Sequence, residues 1–190
     1  MNENETMAIE DRFLAKFYQR FPVSVVGGRG VILKGADGRE YIDCMGGYGV
    51  SIVGHCHPKV VEAIKEQCEK LITCHGSLYN EKRAELAEKL VQIAPDGLNK
   101  IFFSNSGAEA IECALKLALK HSGRKQVISM VGGYHGKTLG ALSVTWNPKY
   151  REPFSQLLSP CFRFVPFGNF EKVEKAASKE TAAIIVGPIQ

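Results

Sequence analysis

Apolar positions recur at intervals of three and four from Pro58 onward. Val61, Ile64, Cys68 and Leu71 share one face of a helix that begins with proline in its first turn. A second stripe, Leu86, Leu90 and Ile93, predicts a helix that opens near Asn80 and is halted by Pro95-Asp96-Gly97. Ahead of both, Val31-Ile32-Leu33 and Glu40-Tyr41-Ile42-Asp43 flank Ala36-Asp37-Gly38. Asp-Gly between apolar alternations predicts a hairpin. The first thirty residues start polar and become amphipathic around Phe13, Leu14, Phe17, Tyr18 and Phe21.

Past residue 100 short apolar runs alternate with helical stripes. Ile101-Phe102-Phe103 predicts a short buried strand. A helix follows over 108–121, with Ile111, Leu115 and Leu119 on one face and Gly123 just beyond its end. Further strands are predicted over 127–130, 162–165 and 182–186, with helical segments over 154–158 and 170–177 between them. Strands alternating with helices imply an α/β fold built on a mainly parallel sheet. In such sheets a ligand site lies just outside the carboxyl ends of the strands. The sequence stops at Gly187-Pro188-Ile189-Gln190, just past one of them, so the expectation is the front half of a larger unit.

Composition narrows the class. The 190 residues are 45% hydrophobic and 23% charged, which suits a folded, core-forming chain. A net charge of +4 is scattered along the sequence and forms no basic stripe for nucleic acid. No apolar run approaches the roughly 20 residues that span a bilayer, and the acidic start, Met1-Asn2-Glu3-Asn4-Glu5, is unlike a signal peptide. Six cysteines without a disulfide-scaffold context are expected as thiols in the reducing cytoplasm. His55-Cys56-His57 has the composition of a metal cluster but not its spacing, so no metal site is expected.

Two loops carry the candidate chemistry. In Ser104-Asn105-Ser106-Gly107-Ala108-Glu109-Ala110 small polar residues and a glycine run straight into a long helix. The first turn of a helix has N–H groups without internal partners, and the positive end of its dipole points the same way. Ser106 and Gly107 therefore fit a phosphate site; equally, Ser106 and Glu109 fit a plain capping box. The spacing matches neither the mononucleotide nor the dinucleotide loop. The second loop, Gly132-Gly133-Tyr134-His135-Gly136-Lys137-Thr138, follows the next strand, and parallel strands deliver such loops to one edge. An aromatic ring beside a phosphate loop suits a flat heteroaromatic ligand, whereas Tyr134 and His135 packed on their own sheet is the local alternative.

Together these segments resemble the class III (ω-type) aminotransferases, which use pyridoxal 5'-phosphate. Gly54-His55-Cys56-His57-Pro58 and Gly38-Arg39-Glu40-Tyr41-Ile42-Asp43 resemble that family's entry motifs. Leu78-Tyr79-Asn80-Glu81 is similar to the acetylornithine branch. Lys149-Tyr150-Arg151-Glu152-Pro153-Phe154 is similar to the branch acting on carrier-protein-bound aminoadipate or glutamate semialdehyde. The resemblance implies a fold-type I transferase, with 1–57 in the small domain and 58–190 as the first part of the cofactor-binding large domain. It implies that Gly107 and Ala108 offer N–H groups to the cofactor phosphate with help from Ser106, that Tyr134 stacks on the pyridine ring with His135 beside it, and that Lys137 binds substrate. The acetylornithine branch usually has arginine at position 137. Lysine is a point charge rather than a planar fork, which opens a diamine (putrescine-type) or 4-aminobutyrate reading. Gly187 stands where the family carries glutamate.

The resemblance also places the Schiff-base lysine, the acid partner of the pyridine nitrogen and the arginine for glutamate's α-carboxylate past residue 190. No catalytic residue is expected within this chain, which alone should be inactive. The implied reaction moves an amino group between an amino-acid or carrier-protein-bound substrate and 2-oxoglutarate, giving glutamate, in arginine or lysine biosynthesis by a homodimer. A non-catalytic α/β binding or scaffold protein is the alternative of another class.

Overall fold

The computed structural model describes residues 2–189, and the chain divides into two compact units, Met1–Glu81 and Lys82–Gln190. In the first, α1 (Glu3–Phe13) starts at a reciprocal cap: Asn2 accepts the Glu5 N–H at 2.9 Å and Glu5 accepts the Asn2 N–H at 3.0 Å. Strands β1 (Val25–Arg29), β2 (Ile32–Gly35) and β3 (Glu40–Ile42) form an antiparallel sheet in that order, with Leu33 opposite Tyr41. The predicted hairpin is β2–β3. Gly38 takes a φ of +81° in its turn, and the Asp37 carboxylate holds Arg39 and the Tyr41 hydroxyl. β1 escapes the sequence reading because Gly27 and Gly28 interrupt its apolar alternation.

A tight turn, α2 (Gly46–Gly49), follows, with positive φ at Gly47 and Tyr48. Helix α3 (Pro58–Lys70) starts at proline as predicted, although Ile64 on its apolar stripe remains 57% exposed. Helix α4 (Glu81–Ile93) stops before Pro95.

The second unit holds the core. β4 (Gln126–Met130) lies between β5 (Phe162–Val165) and β6 (Thr181–Ile185), all parallel. Met130 pairs with Val165 and Ser129 with Ile185, so the three strands end together. Successive β4 side chains point to opposite faces. Val127 packs with Leu115 of α5 (Gly107–Ser122) and Val144 of α6 (Leu139–Val144); Ile128 and Met130 pack with Val165 and, beyond it, Val173 of α8 (Phe170–Ala176). This is a sheet covered on both sides by helices. Gly123 closes α5 in the left-handed conformation, φ +66°, as the sequence predicts. Between α6 and β5 lie α7 (Pro148–Arg151), capped by Asn147, and a 3₁₀ turn over Glu152–Leu157 where a helical segment was expected.

One strand expectation fails. Ile101-Phe102-Phe103 forms no strand, and Phe102 is 66% exposed, because no described strand offers that segment a ladder. Helix α6 was not predicted. Ala141, Leu142, Ser143 and Val144 are all buried, so its sequence carries no polar face and hence no amphipathic period.

Candidate functional site

Only Gly123 to Lys125 separate α5 from β4, so α5 runs back along the strand and its first turn returns to the edge where β4 ends. The loop after β4 leaves from that same edge. Gly136 brings the two loops together: at φ +137°, a Cβ there would lie 2.7 Å from Ala108 Cβ and 3.0 Å from Ala141 Cβ. Only glycine lets the second loop press onto the first turn of α5.

Ser106 is the α5 N-cap, and its hydroxyl accepts the Glu109 N–H at 3.2 Å. The expected capping box is half formed, since the Glu109 carboxylate takes the Asn105 N–H at 2.6 Å, one residue further back. The Ala110 N–H goes to the Ser106 carbonyl, which leaves Gly107 and Ala108 with N–H groups that have no intrahelical acceptor. Gly107 is exposed, and a Cβ built on it meets nothing within 4 Å. A helix start with open space before two N–H donors is a cradle for an anion.

The second loop is tied down behind its exposed residues. The hydroxyl of buried Thr145 accepts the His135 N–H at 3.0 Å and lies 2.9 Å from the Ala141 carbonyl and 3.2 Å from that of Gly136. The Trp146 N–H donates to the Gly133 carbonyl at 2.8 Å. The His135 ring lies against Gly133, and burial holds its basicity below the ordinary histidine value. Its Nε2 is buried and unpartnered. Tyr134 is 57% exposed and meets Tyr150 edge to face, centroids 6.2 Å apart. Lys137 is exposed at the loop's far end. Ser106, Gly107, Ala108, Tyr134, His135 and Lys137 thus stand on two loops joined at Gly136. Thr145, Tyr150 and Glu112, which hold that arrangement from behind, were given no role by the sequence reading, because a hydroxyl, a ring or a carboxylate within a helical run carries no positional signal.

Residues 13–190 match the family model described as "Aminotransferase class-III". The chain belongs to the class III aminotransferases. It is 51% identical to an acetylornithine aminotransferase of Methanopyrus kandleri, covering 95% of this chain and 46% of that protein. It is 42% identical to the [LysW]-aminoadipate semialdehyde transaminase of Deinococcus radiodurans over 100% of this chain and 44% of that protein. Among solved structures, the ornithine aminotransferase of Toxoplasma gondii, which shows partial occupancy of pyridoxal phosphate at its active site, superposes with a TM-score of 0.91 at 27% identity, over 100% of this chain and 46% of that one. The adenosylmethionine-8-amino-7-oxononanoate aminotransferase of Methanocaldococcus jannaschii gives 0.87 at 28%, over 96% and 46%. The chain spans about half the length of the relatives it matches.

This class III chain has the fold of pyridoxal-phosphate-dependent aminotransferases, and membership implies pyridoxal 5'-phosphate as cofactor. The residues present fit that group. The open space at Gly107 and the unpaired first-turn donors suit a phosphate, and the exposed Tyr134 face suits a flat ring. Gly187 lies two residues past β6 and brings no carboxylate to that edge; Gln190 lies outside the described residues.

Proposed function

We propose that this chain is the front part of an aminotransferase moving an amino group between an ω-amino substrate, N-acetylornithine or a carrier-protein-bound lysine or ornithine, and 2-oxoglutarate. The observation that carries the reading is the junction at Gly136, which sets a phosphate cradle and an exposed aromatic ring side by side at the sheet edge. The similarity to acetylornithine and [LysW]-aminoadipate semialdehyde enzymes supports the substrate class and, with it, a place in arginine or lysine biosynthesis. In the full-length protein residues 1–57 would belong to the small domain and 58–190 to the start of the large one, within a cytoplasmic homodimer. The unpaired thiols suit a reducing compartment.

In this reading Gly107 and Ala108 donate N–H groups to the phosphate, and the Ser106 hydroxyl donates beside them. Tyr134 lies on the ring and keeps water from that face. His135, whose basicity burial lowers, would close the loop beside Tyr134. Lys137 attracts the substrate carboxylate as a point charge. Pyridoxal phosphate, when bound, supplies the conjugated ring that draws electrons from the carbon bearing the amine. The lysine that links to it and moves the proton is expected past residue 190.

Lys137 in place of arginine also favours a second reading, a diamine or 4-aminobutyrate donor. Glutamate formation by the full-length protein from 2-oxoglutarate decides between them. N-Acetylornithine or the carrier-bound donor should exceed putrescine by roughly tenfold or more in kcat/KM, because putrescine has no carboxylate to present to Lys137. Turnover of putrescine or 4-aminobutyrate alone would establish the second reading, and no glutamate from any donor would leave a binding protein.

A further inference from the structure

Glu112 lies on α5 more than one turn past Ala108, where a carboxylate reads from the sequence as part of a solvated helix face. In the structure it is half-buried and turned toward α6. Its Oε1 accepts the Gly140 N–H at 2.8 Å and the Ala141 N–H at 3.2 Å. The Thr138 hydroxyl, near the same carboxylate, adds to the pull that lowers its pKa. Thr138 is the N-cap residue of α6 yet makes no side-chain cap of its own, so Glu112 satisfies that helix start from the neighbouring helix. Gly140 leaves the space for it: a Cβ there would collide with the Glu112 carboxylate. Burial disfavours the charge, but the Thr138 hydroxyl, the bonds from Ala141 and Gly140 and the nearby Lys116 outweigh it and hold the carboxyl below its ordinary value.

The geometry points to Glu112 as a positioning residue that fixes the far end of the second loop and so sets where Lys137 meets substrate. This rests on the substrate-binding reading of Lys137. The loop has two moorings. Gly136 and Thr145 hold its middle, and Glu112 holds Gly140 and Ala141, three and four residues after Lys137. The phosphate cradle at Gly107 depends on neither Thr138 nor Gly140.

The test uses the full-length protein with Glu112→Ala, Glu112→Gln and Glu112→Asp, read by amide hydrogen exchange and by steady-state kinetics. In Glu112→Ala, Gly140 and Ala141 should exchange roughly tenfold faster or more, with β4 unchanged, because bonds to a charged acceptor are lost. KM for the carboxylate-bearing amino donor should rise about tenfold, while pyridoxal phosphate affinity stays within about twofold. Glutamine keeps an oxygen for the same N–H groups and should restore both readouts; aspartate is one methylene too short and should not. Unchanged exchange at Gly140 and Ala141, faster exchange with unchanged KM, or glutamine behaving like alanine would each overturn the proposal. If the parent protein makes no glutamate, the functional reading fails, and the exchange pattern alone then decides for or against the mooring.

Discussion

Gly107 and Gly136 both belong to the site, yet they answer to different constraints. Around Gly107 there is open space, so nothing in the protein itself requires glycine there, and the proposed phosphate would. Gly136 is small because the protein itself fills the space, at a φ of +137° that other residues rarely adopt. Gly136→Ala should therefore cost about 2 kcal/mol through strain and overpacking, seen as a lowered thermal midpoint; an unchanged midpoint would refute the packing of the loop on Ala108. Tyr134 makes a separate prediction. Tyr134→Phe keeps the ring face and the edge contact with Tyr150, so cofactor affinity should change by less than about threefold, whereas Tyr134→Ala should lose about tenfold. Equal effects of the two, measured by equilibrium dialysis, would remove the ring from its stacking role.

Elements were legible where one face is polar and one apolar. The stripe from Ile111 to Leu119 announces α5, and alternation around Asp37-Gly38 announces the β2–β3 hairpin. Where that contrast vanishes the sequence is silent or misleading. Helix α6 is buried from Ala141 to Val144, and Ile101-Phe102-Phe103 has strand composition without a described partner to pair with. The site loops were visible because serine and glycine at a helix start have few uses, but their supports, Glu112 and Thr145, act through contacts distant in sequence. His55 illustrates the same point. Beside Cys56 and His57 it has the look of a ligand; instead its Nε2 lies 2.7 Å from Asp43 Oδ2, joining the end of β3 to the loop before α3. His55 and the Met45 and Gly46 N–H groups hold the Asp43 carboxyl below its ordinary value. A depressed carboxyl stabilises above its unfolded value, about 3.9, and that stabilisation is lost as pH falls through the folded value. Asp43→Asn should flatten the fall of the thermal midpoint between about pH 5 and pH 3; an identical acid profile would exclude the pair from stability.

Within the whole molecule the buried hydrophobic core of the described residues lies in the second unit, around β4. The first unit leaves large apolar side chains open, Phe17 at 83% and Tyr48 at 89% exposed. No helix among the described residues is long and apolar enough to cross a membrane. The chain spans 46% of its Methanopyrus relative, and in the proposed homodimeric full-length protein such faces would be covered by further chain or by the second copy. The 190-residue chain alone should bind an apolar dye several-fold more strongly than the full-length protein; equal binding would show that those faces stay open in both. The proposal that matters most for function is that two loops of this chain build the phosphate end of a pyridoxal phosphate site. Gly107→Val probes that claim, because a Cβ at Gly107 meets nothing within 4 Å and the side chain would obstruct what enters the cradle. In equilibrium dialysis of the full-length protein with pyridoxal phosphate, affinity should fall by roughly tenfold or more at an unchanged thermal midpoint of the cofactor-free protein. Wild-type affinity in Gly107→Val would contradict it.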